Sequence, residues 1–193
     1  MNAAAPDEAS LYPLFLKLRG RTVLVVGGGP VAERKVASLL ESGAVIRLVA
    51  PETTPELRRL AADGRIEWHA RGFDDADIDG AWLAIAATDI SEVQARVAKA
   101  GEGHSTFVLA VDDPRHASAY GGAVVRRPPF LVAISSSGAT PGLSRLIREI
   151  IEEVLPGDDW IGRAKELRDR WKADGTPPGE RFADLVRDLK SRR

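Results

Sequence analysis

The stretch TVLVVGGGPVAERKVASLL, Thr22–Leu40, carries an apolar, β-branched segment straight into three glycines and then into a helical pattern. Within it Gly27, Gly29 and Ala32 have the spacing G-x-G-x-x-A, immediately after a strand and opening a helix. Each position has a physical job in a dinucleotide site. Gly27 permits the tight turn, Gly29 lets the backbone approach a pyrophosphate, and Ala32 lets the helix pack on the strand. The pyrophosphate would rest on unpaired N–H groups at the positive end of the helix dipole. Pro30 has no N–H, so Gly28, Gly29, Val31 and Ala32 must supply the donors. A glycine-rich turn with no ligand is the plainer alternative, and the strand–turn–helix context weighs against it.

The surrounding pattern supports that context. Apolar runs at Thr22–Val26, Val45–Ala50, Trp82–Ala87 and Phe107–Val111, with a weaker one at Ile66–His69, alternate with helical patterns at Val31–Ser42, Thr54–Asp63 and Ser91–Ala100. Ser91 and Gln94 have the spacing of a capping box. Strands with little internal alternation, separated by helices, predict a parallel sheet covered on both faces, the doubly wound α/β class. The pattern changes after Tyr120. Ala123–Val125 and Phe130–Ile134, joined by RRPP, read as a hairpin or reaching arm. Thr140 is the expected N-cap and Pro141 the first residue of a helix whose apolar face includes Leu143, Leu146, Ile147, Ile150, Ile151, Val154 and Leu155. Pro156–Gly157 ends it. A charged tail follows, with Trp160, Leu167 and Trp171 to dock it, and a last helix is expected at Arg181–Leu189. The domains expected are 1–120 for a Rossmann unit, 121–155 for an arm and helix, and 156–193 for a helical tail.

The 193 residues carry a formal net charge of -1, which gives no bulk field for nucleic acid or an anionic membrane. There is no cysteine, so disulfides, thiolate metal sites and a Cys nucleophile are excluded, and a cytoplasmic location is expected. The N-terminal residues do not read as a secretory signal, and no apolar run approaches the roughly 20 residues of a membrane span.

Chemistry is expected where strands end. After the second strand, Glu52 beyond Pro51 reads equally as an acid for the adenosine ribose or as the opening of the next helix. No Arg follows that strand before Arg58, which points to NAD rather than NADP. Small residues through Thr88 suit a sheet edge beneath a nicotinamide ribose, while Asp89 reads as a turn. The fifth strand ends VDDPRH. Asp112 is the candidate general base, since a proton must leave alongside many hydride transfers. Asp113 reads as an Asp-Pro turn, and His116 either assists or is a solvated loop residue. His69, His104 and His116 are scattered and suggest no preassembled metal site.

LYPLFLKLRGRTVLVVGGGPVAERKVASLLESGA, WLAIAATD, VDDP and VAISSSGATPGLSRLIREIIEEVLP, from Leu11 to Pro156, together resemble the precorrin-2 dehydrogenase and sirohydrochlorin ferrochelatase module of siroheme synthases. GGGxVAxRK and AISSxGxxP are far more specific as a pair than a Rossmann fingerprint alone. The resemblance implies a homodimer made of a Rossmann domain, a small α+β dimerisation domain and a helical tail. It implies oxidation of precorrin-2 to sirohydrochlorin with NAD, and in some members insertion of Fe²⁺ to give siroheme. The family's aspartate falls on Asp112, its phosphorylatable serine on Ser136, and its NAD contacts on Pro30, Val31, Pro51 and Glu52.

A carboxylate-rich tetrapyrrole also gives a use to Arg126, Arg127, Arg145 and Arg148, since guanidinium groups pair with carboxylates. Arg148, flanked by Glu149, reads instead as surface charge. Ser135 and Ser136, before a helix N-terminus, offer a carboxylate site or simple capping. The chain departs from the family at Leu109, where Asn is common, and at SAYGGAV, where an aromatic and a proline are usual; these changes bear on substrate and chelatase more than on cofactor. No uroporphyrinogen methyltransferase domain is expected. The competing function is a non-catalytic, NAD-sensing Rossmann module, which leaves the arginine-bearing arm and the long amphipathic helix unused.

Overall fold

The computed structural model describes residues 11–111, 113–136, 140–155 and 158–190, with backbone alone at 141, 158, 159, 189 and 190. Asp112 therefore lies outside the described residues. Contacts divide the chain into two units, one holding everything up to Gly122 together with Ser135–Pro141, the other Ala123–Ile134 and the chain from Gly142 onward.

The first unit is built on a five-stranded sheet. Its strands are β1 (Thr22–Val26), β2 (Val45–Val49), β3 (Glu67–His69), β4 (Leu83–Ala86) and β5 (Phe107–Ala110). Their spatial order is β3-β2-β1-β4-β5, and every pair is parallel. The crossover helices are α1 (Pro30–Glu41), α2 (Pro55–Ala62) and α3 (Ser91–Gly103), and β3 returns to β4 through a 3₁₀ turn at Asp75–Ile78. The absence of alternation in β1 has a direct cause: Val23 and Val25 pack with Ala32, Val36, Leu39, Leu57 and Leu60 on the α1/α2 face. Leu24 and Val26 pack with Ile78, Val97 and Ala100 on the α3 face. Successive side chains thus point into two separate cores, and each large buried one contributes roughly 1.5–3 kcal/mol. The doubly wound reading is correct.

Local signals set the helix ends. Thr54 accepts from the Leu57 N–H at 3.3 Å, Pro55 occupies the first helical position, and Asp63 closes α2. The capping box expected at Ser91 does not form. The N-cap of α3 is Ile90, with no side-chain cap, and Ser91 is already helical. Gln94 consequently turns inward onto the stripe shared with Val97, Ala100 and Gly101. Thr88 supplies the local turn instead, its hydroxyl accepting from the Ile90 N–H at 3.2 Å.

The second unit opens with an antiparallel hairpin, β6 (Ala123–Arg127) and β7 (Phe130–Ile134), closed by Pro128 and Pro129. Helix α4 (Pro141–Val154) starts at the expected proline. The Arg127 guanidinium donates to the Leu155 carbonyl at 2.6 Å, satisfying an acceptor that the end of a helix leaves orphaned. Helices α5 (Asp158–Ala173) and α6 (Pro178–Lys190) pair through buried Leu167 and Trp171. Trp171 donates its indole N–H to Asp184 at 2.7 Å, and Arg163 forks onto Asp188 at 2.9 and 2.7 Å. The last helix begins three residues earlier than its apolar pattern suggests, because Pro178 serves as its first residue. Among the described residues, no helix is long and apolar enough to cross a membrane.

Candidate functional site

The strand order reverses between β1 and β4, and there the two following crossovers leave on opposite faces, opening a crevice at the strand carboxyl ends. The glycine turn lies at this point. The Gly27 N–H donates to the Val49 carbonyl at 3.0 Å, and the Ala87 N–H to the Val26 carbonyl at 2.7 Å. The ends of β2, β1 and β4 are thereby held together. Gly27 has φ +120°, and a Cβ there would overlap the Ala87 carbonyl. A Cβ at Gly28 would overlap the Glu52 carbonyl, and the Thr54 N–H donates to Gly28 O at 2.9 Å. These two glycines therefore serve close packing of backbone on backbone.

Gly29 differs: nothing among the described residues lies within 4 Å of where its Cβ would stand. It is the N-cap of α1, whose first intrahelical bond runs from the Glu33 N–H to Gly29 O at 3.0 Å. The N–H groups of Val31 and Ala32 have no intrahelical acceptor, and Pro30 carries no donor. Ala32 is fully buried against the sheet, and Val31 packs on the same core. Pro51 and Glu52 are exposed on the loop after β2. Beside them, the Thr53 hydroxyl is sealed from solvent with no hydrogen-bond partner among the described residues. Its Cα lies 3.0 Å from the Cβ position at Gly28. A buried hydroxyl without a partner is costly, and one beside an open helix N-terminus fits an incoming polar ligand. No spacing rule marks Thr53 in the sequence. Arg58, from α2, donates to the Thr53 carbonyl at 3.4 Å and is the one arginine the structure brings to this loop among the described residues.

Across the crevice, Thr88 ends the β4 segment, and Asp89 is exposed beyond it. The Gln94 side-chain amide donates to the Thr88 carbonyl at 2.6 Å and to the Val111 carbonyl at 3.2 Å. Beyond the undescribed Asp112, Asp113 caps the Pro114–His116 turn by accepting from the Arg115 N–H at 3.1 Å. It also takes two guanidinium contacts from Arg115, both 3.0 Å, and lies 3.0 Å from His116 Nδ1. The Arg115 guanidinium, and after it His116, hold the Asp113 carboxyl well below the usual range despite its burial. Asp113 is thus ionised and fully engaged, as the turn reading expects, and His116 is directed to Asp113.

The arginines are also largely engaged within their own unit. Arg127 caps α4, Arg145 pairs with Glu149 at 3.1 Å, and Arg148 pairs with Glu149 at 3.2 Å and with Glu152. Arg126 is exposed on β6. Ser136 Oγ accepts from the Thr140 N–H at 3.2 Å, and Ser135 precedes it at the end of β7. Among the described residues no three His, Asp or Glu side chains gather as a metal site.

This geometry, a parallel sheet with a glycine turn opening a helix at its switch point, defines a Rossmann-type dinucleotide-binding protein. Residues 14–123 match the family described as "Putative NAD(P)-binding". The chain belongs to that family, and its cofactor class is a nicotinamide dinucleotide. Among curated proteins it is 45% identical over 173 residues to siroheme synthase 3 of Aeromonas hydrophila subsp. hydrophila, a match covering 88% of this chain and 36% of that protein. It is 39% identical over 181 residues to siroheme synthase of Photorhabdus laumondii subsp. laumondii, covering 94% of this chain and 37% of the relative. The chain thus spans about a third of the length of the relatives it matches. The solved structure of SirC, precorrin-2 dehydrogenase, has the same fold, with TM-score 0.73 at 24% identity over 92% of this chain and 88% of that one.

Proposed function

We propose that this protein oxidises precorrin-2 to sirohydrochlorin with NAD⁺. The observation that carries the reading is the 45% identity to a siroheme synthase across 88% of the chain, through both units, joined to a site built for a dinucleotide. NAD⁺ bound there supplies the hydride acceptor. Gly29, Val31 and Ala32 hold the pyrophosphate at the positive end of α1, with Gly27, Gly28 and Pro30 shaping the turn. Glu52 accepts from the adenosine ribose hydroxyls, flanked by Pro51, and Thr53 gives its buried hydroxyl to the same end of the ligand. Thr88 lines the nicotinamide side.

Asp112 takes the proton. Precorrin-2 would lose two hydrogens in all, one as the hydride that bound NAD⁺ would accept and one as the proton that Asp112 would take. Arg126, Arg127, His116 and the Ser135–Ser136 segment would each offer donors to carboxylates of the tetrapyrrole. Leu143, Leu146, Ile150 and Val154, each more than half exposed on α4, form a homodimer face within 121–155, and 156–193 is the helical tail. Fe²⁺ would be a second substrate, its insertion into sirohydrochlorin displacing the two pyrrole N–H protons.

Spectral titration separates this from an NAD-sensing module. The proposal expects both NAD and sirohydrochlorin to bind, whereas a sensor binds NAD and ignores the tetrapyrrole.

A further inference from the structure

The chain that follows β5 returns along the α1 face of the sheet. Val111 and Ala119 pack on the same core as Val31 and Leu39, and so does Leu109 of β5. The segment runs on through Tyr120 to Gly121, all within the first unit. Gly121 has no positive φ, so backbone conformation does not call for a glycine there. A side chain would be crowded instead: its Cβ would stand 3.1 Å from Leu109 Cδ1 and 3.2 Å from Lys35 Nζ. The missing side chain leaves room for an ammonium.

Strand register sets the level of that ammonium in the fold. Leu109 pairs with Ile85, and Ile85 with Val25. One residue further on come Val26, Ala86 and Ala110, the last residues of β1, β4 and β5. Lys35 belongs to α1, four residues after Val31, so the two share one flank of the helix. Long helical side chains lean towards the helix N-terminus, which here is the glycine turn at the strand carboxyl ends. Lys35 is half-buried and also interacts within the protein. An ammonium carries three N–H donors, so one such interaction does not exhaust it.

We infer that Lys35 is a substrate-binding residue: its ammonium takes a carboxylate of the tetrapyrrole on the α1 side of the crevice. The inference rests on the proposed dehydrogenase reading. It gives one helix two tasks, the dinucleotide at its first turn and the substrate at its second. A carboxylate that meets an ammonium beside apolar side chains is screened less than one in open water, so the pair is stronger there.

The test titrates sirohydrochlorin, without oxygen, into wild type, Lys35→Met and Lys35→Arg, following absorbance and measuring NAD⁺ binding alongside. Methionine keeps most of the unbranched stem and removes the charge. Lys35→Met should weaken sirohydrochlorin binding about tenfold, the worth of one charge-assisted hydrogen bond, while NAD⁺ affinity stays within about threefold. Lys35→Arg should recover most of the loss. Added salt should weaken wild type more than Lys35→Met, a signature that a purely structural lysine would not show. With precorrin-2 as substrate, the loss should fall on KM more than on kcat. A Lys35→Met that binds sirohydrochlorin as wild type does, or that loses NAD⁺ affinity to the same extent, would overturn the inference. A wild type that binds NAD⁺ and ignores sirohydrochlorin would instead remove the tetrapyrrole reading itself, so the two failures are told apart.

Discussion

Gly27 and Ala87 meet so closely that a Cβ on the glycine would overlap the alanine carbonyl, whereas Gly29, two residues on, faces open space. The glycines of one motif therefore divide between those packed against backbone and one that is not. Gly27→Ala should lower stability by about 2–3 kcal/mol, since the residue must hold a positive φ and overlap backbone. Gly29→Ala should leave the melting temperature within a degree or two and still weaken NAD⁺ binding at least tenfold. Thermal melts and calorimetry on both variants check the division.

Thr53 presents the opposite balance. Its buried hydroxyl has no partner among the described residues, so Thr53→Val removes an unmet polar group at nearly constant volume. Stability should hold or rise slightly. NAD⁺ affinity should fall about three- to tenfold, the worth of one hydrogen bond of roughly 0.5–1.5 kcal/mol. Unchanged affinity would take Thr53 out of the cofactor site.

On the proposed reading, nucleotide choice turns on Glu52 and Arg58. The exposed Glu52 carboxylate on the β2 loop would repel a ribose 2′-phosphate, while Arg58 donates to the Thr53 carbonyl. NAD⁺ should bind more tightly than NADP⁺, and Glu52→Ser should narrow the gap by at least fivefold. Competition titrations with the two nucleotides measure it.

The pH dependence of stability should carry a contribution from Asp77. This carboxyl is buried in the crossover from β3 to β4, forked by Arg71 at 2.6 and 2.7 Å and bonded by the Asp74 N–H at 2.8 Å. Arg71 above all lowers its pKa from the ordinary value, and the Asp74 N–H adds to the effect against the cost of burial. A depressed folded pKa gives stability that is fully present above the unfolded value, about 3.9, and is lost as pH falls through the lower folded value. Asp77→Asn should therefore cost about 1–2 kcal/mol at neutral pH, the partly solvated Arg71 limiting the figure. The difference from wild type should close in acid, as urea melts at several pH values would show.

The sequence made the sheet legible because both faces of every central strand are buried: Val23, Leu24 and Val25 could not alternate. The glycine turn opening α1 was legible because its spacing is a steric requirement. Thr54 and Pro55 announced α2 for the same kind of local reason. Tertiary roles were hidden. Gln94 satisfied a local capping pattern, yet its place on the stripe with Val97 and Gly101 was the signal that it points inward. Arg127 reads in sequence as a ligand for substrate carboxylates, and only the fold brings it to the end of α4. Thr53 shows nothing until the glycine turn is laid against it.

The central claim is tested most directly by mixing the purified protein with freshly prepared precorrin-2 and NAD⁺ under strict exclusion of oxygen and following NADH absorbance. NADH should appear in step with sirohydrochlorin, one for one, and Asp112→Asn should slow turnover far more than it weakens NAD⁺ binding. Tight NAD⁺ binding with no NADH above the protein-free control would contradict it.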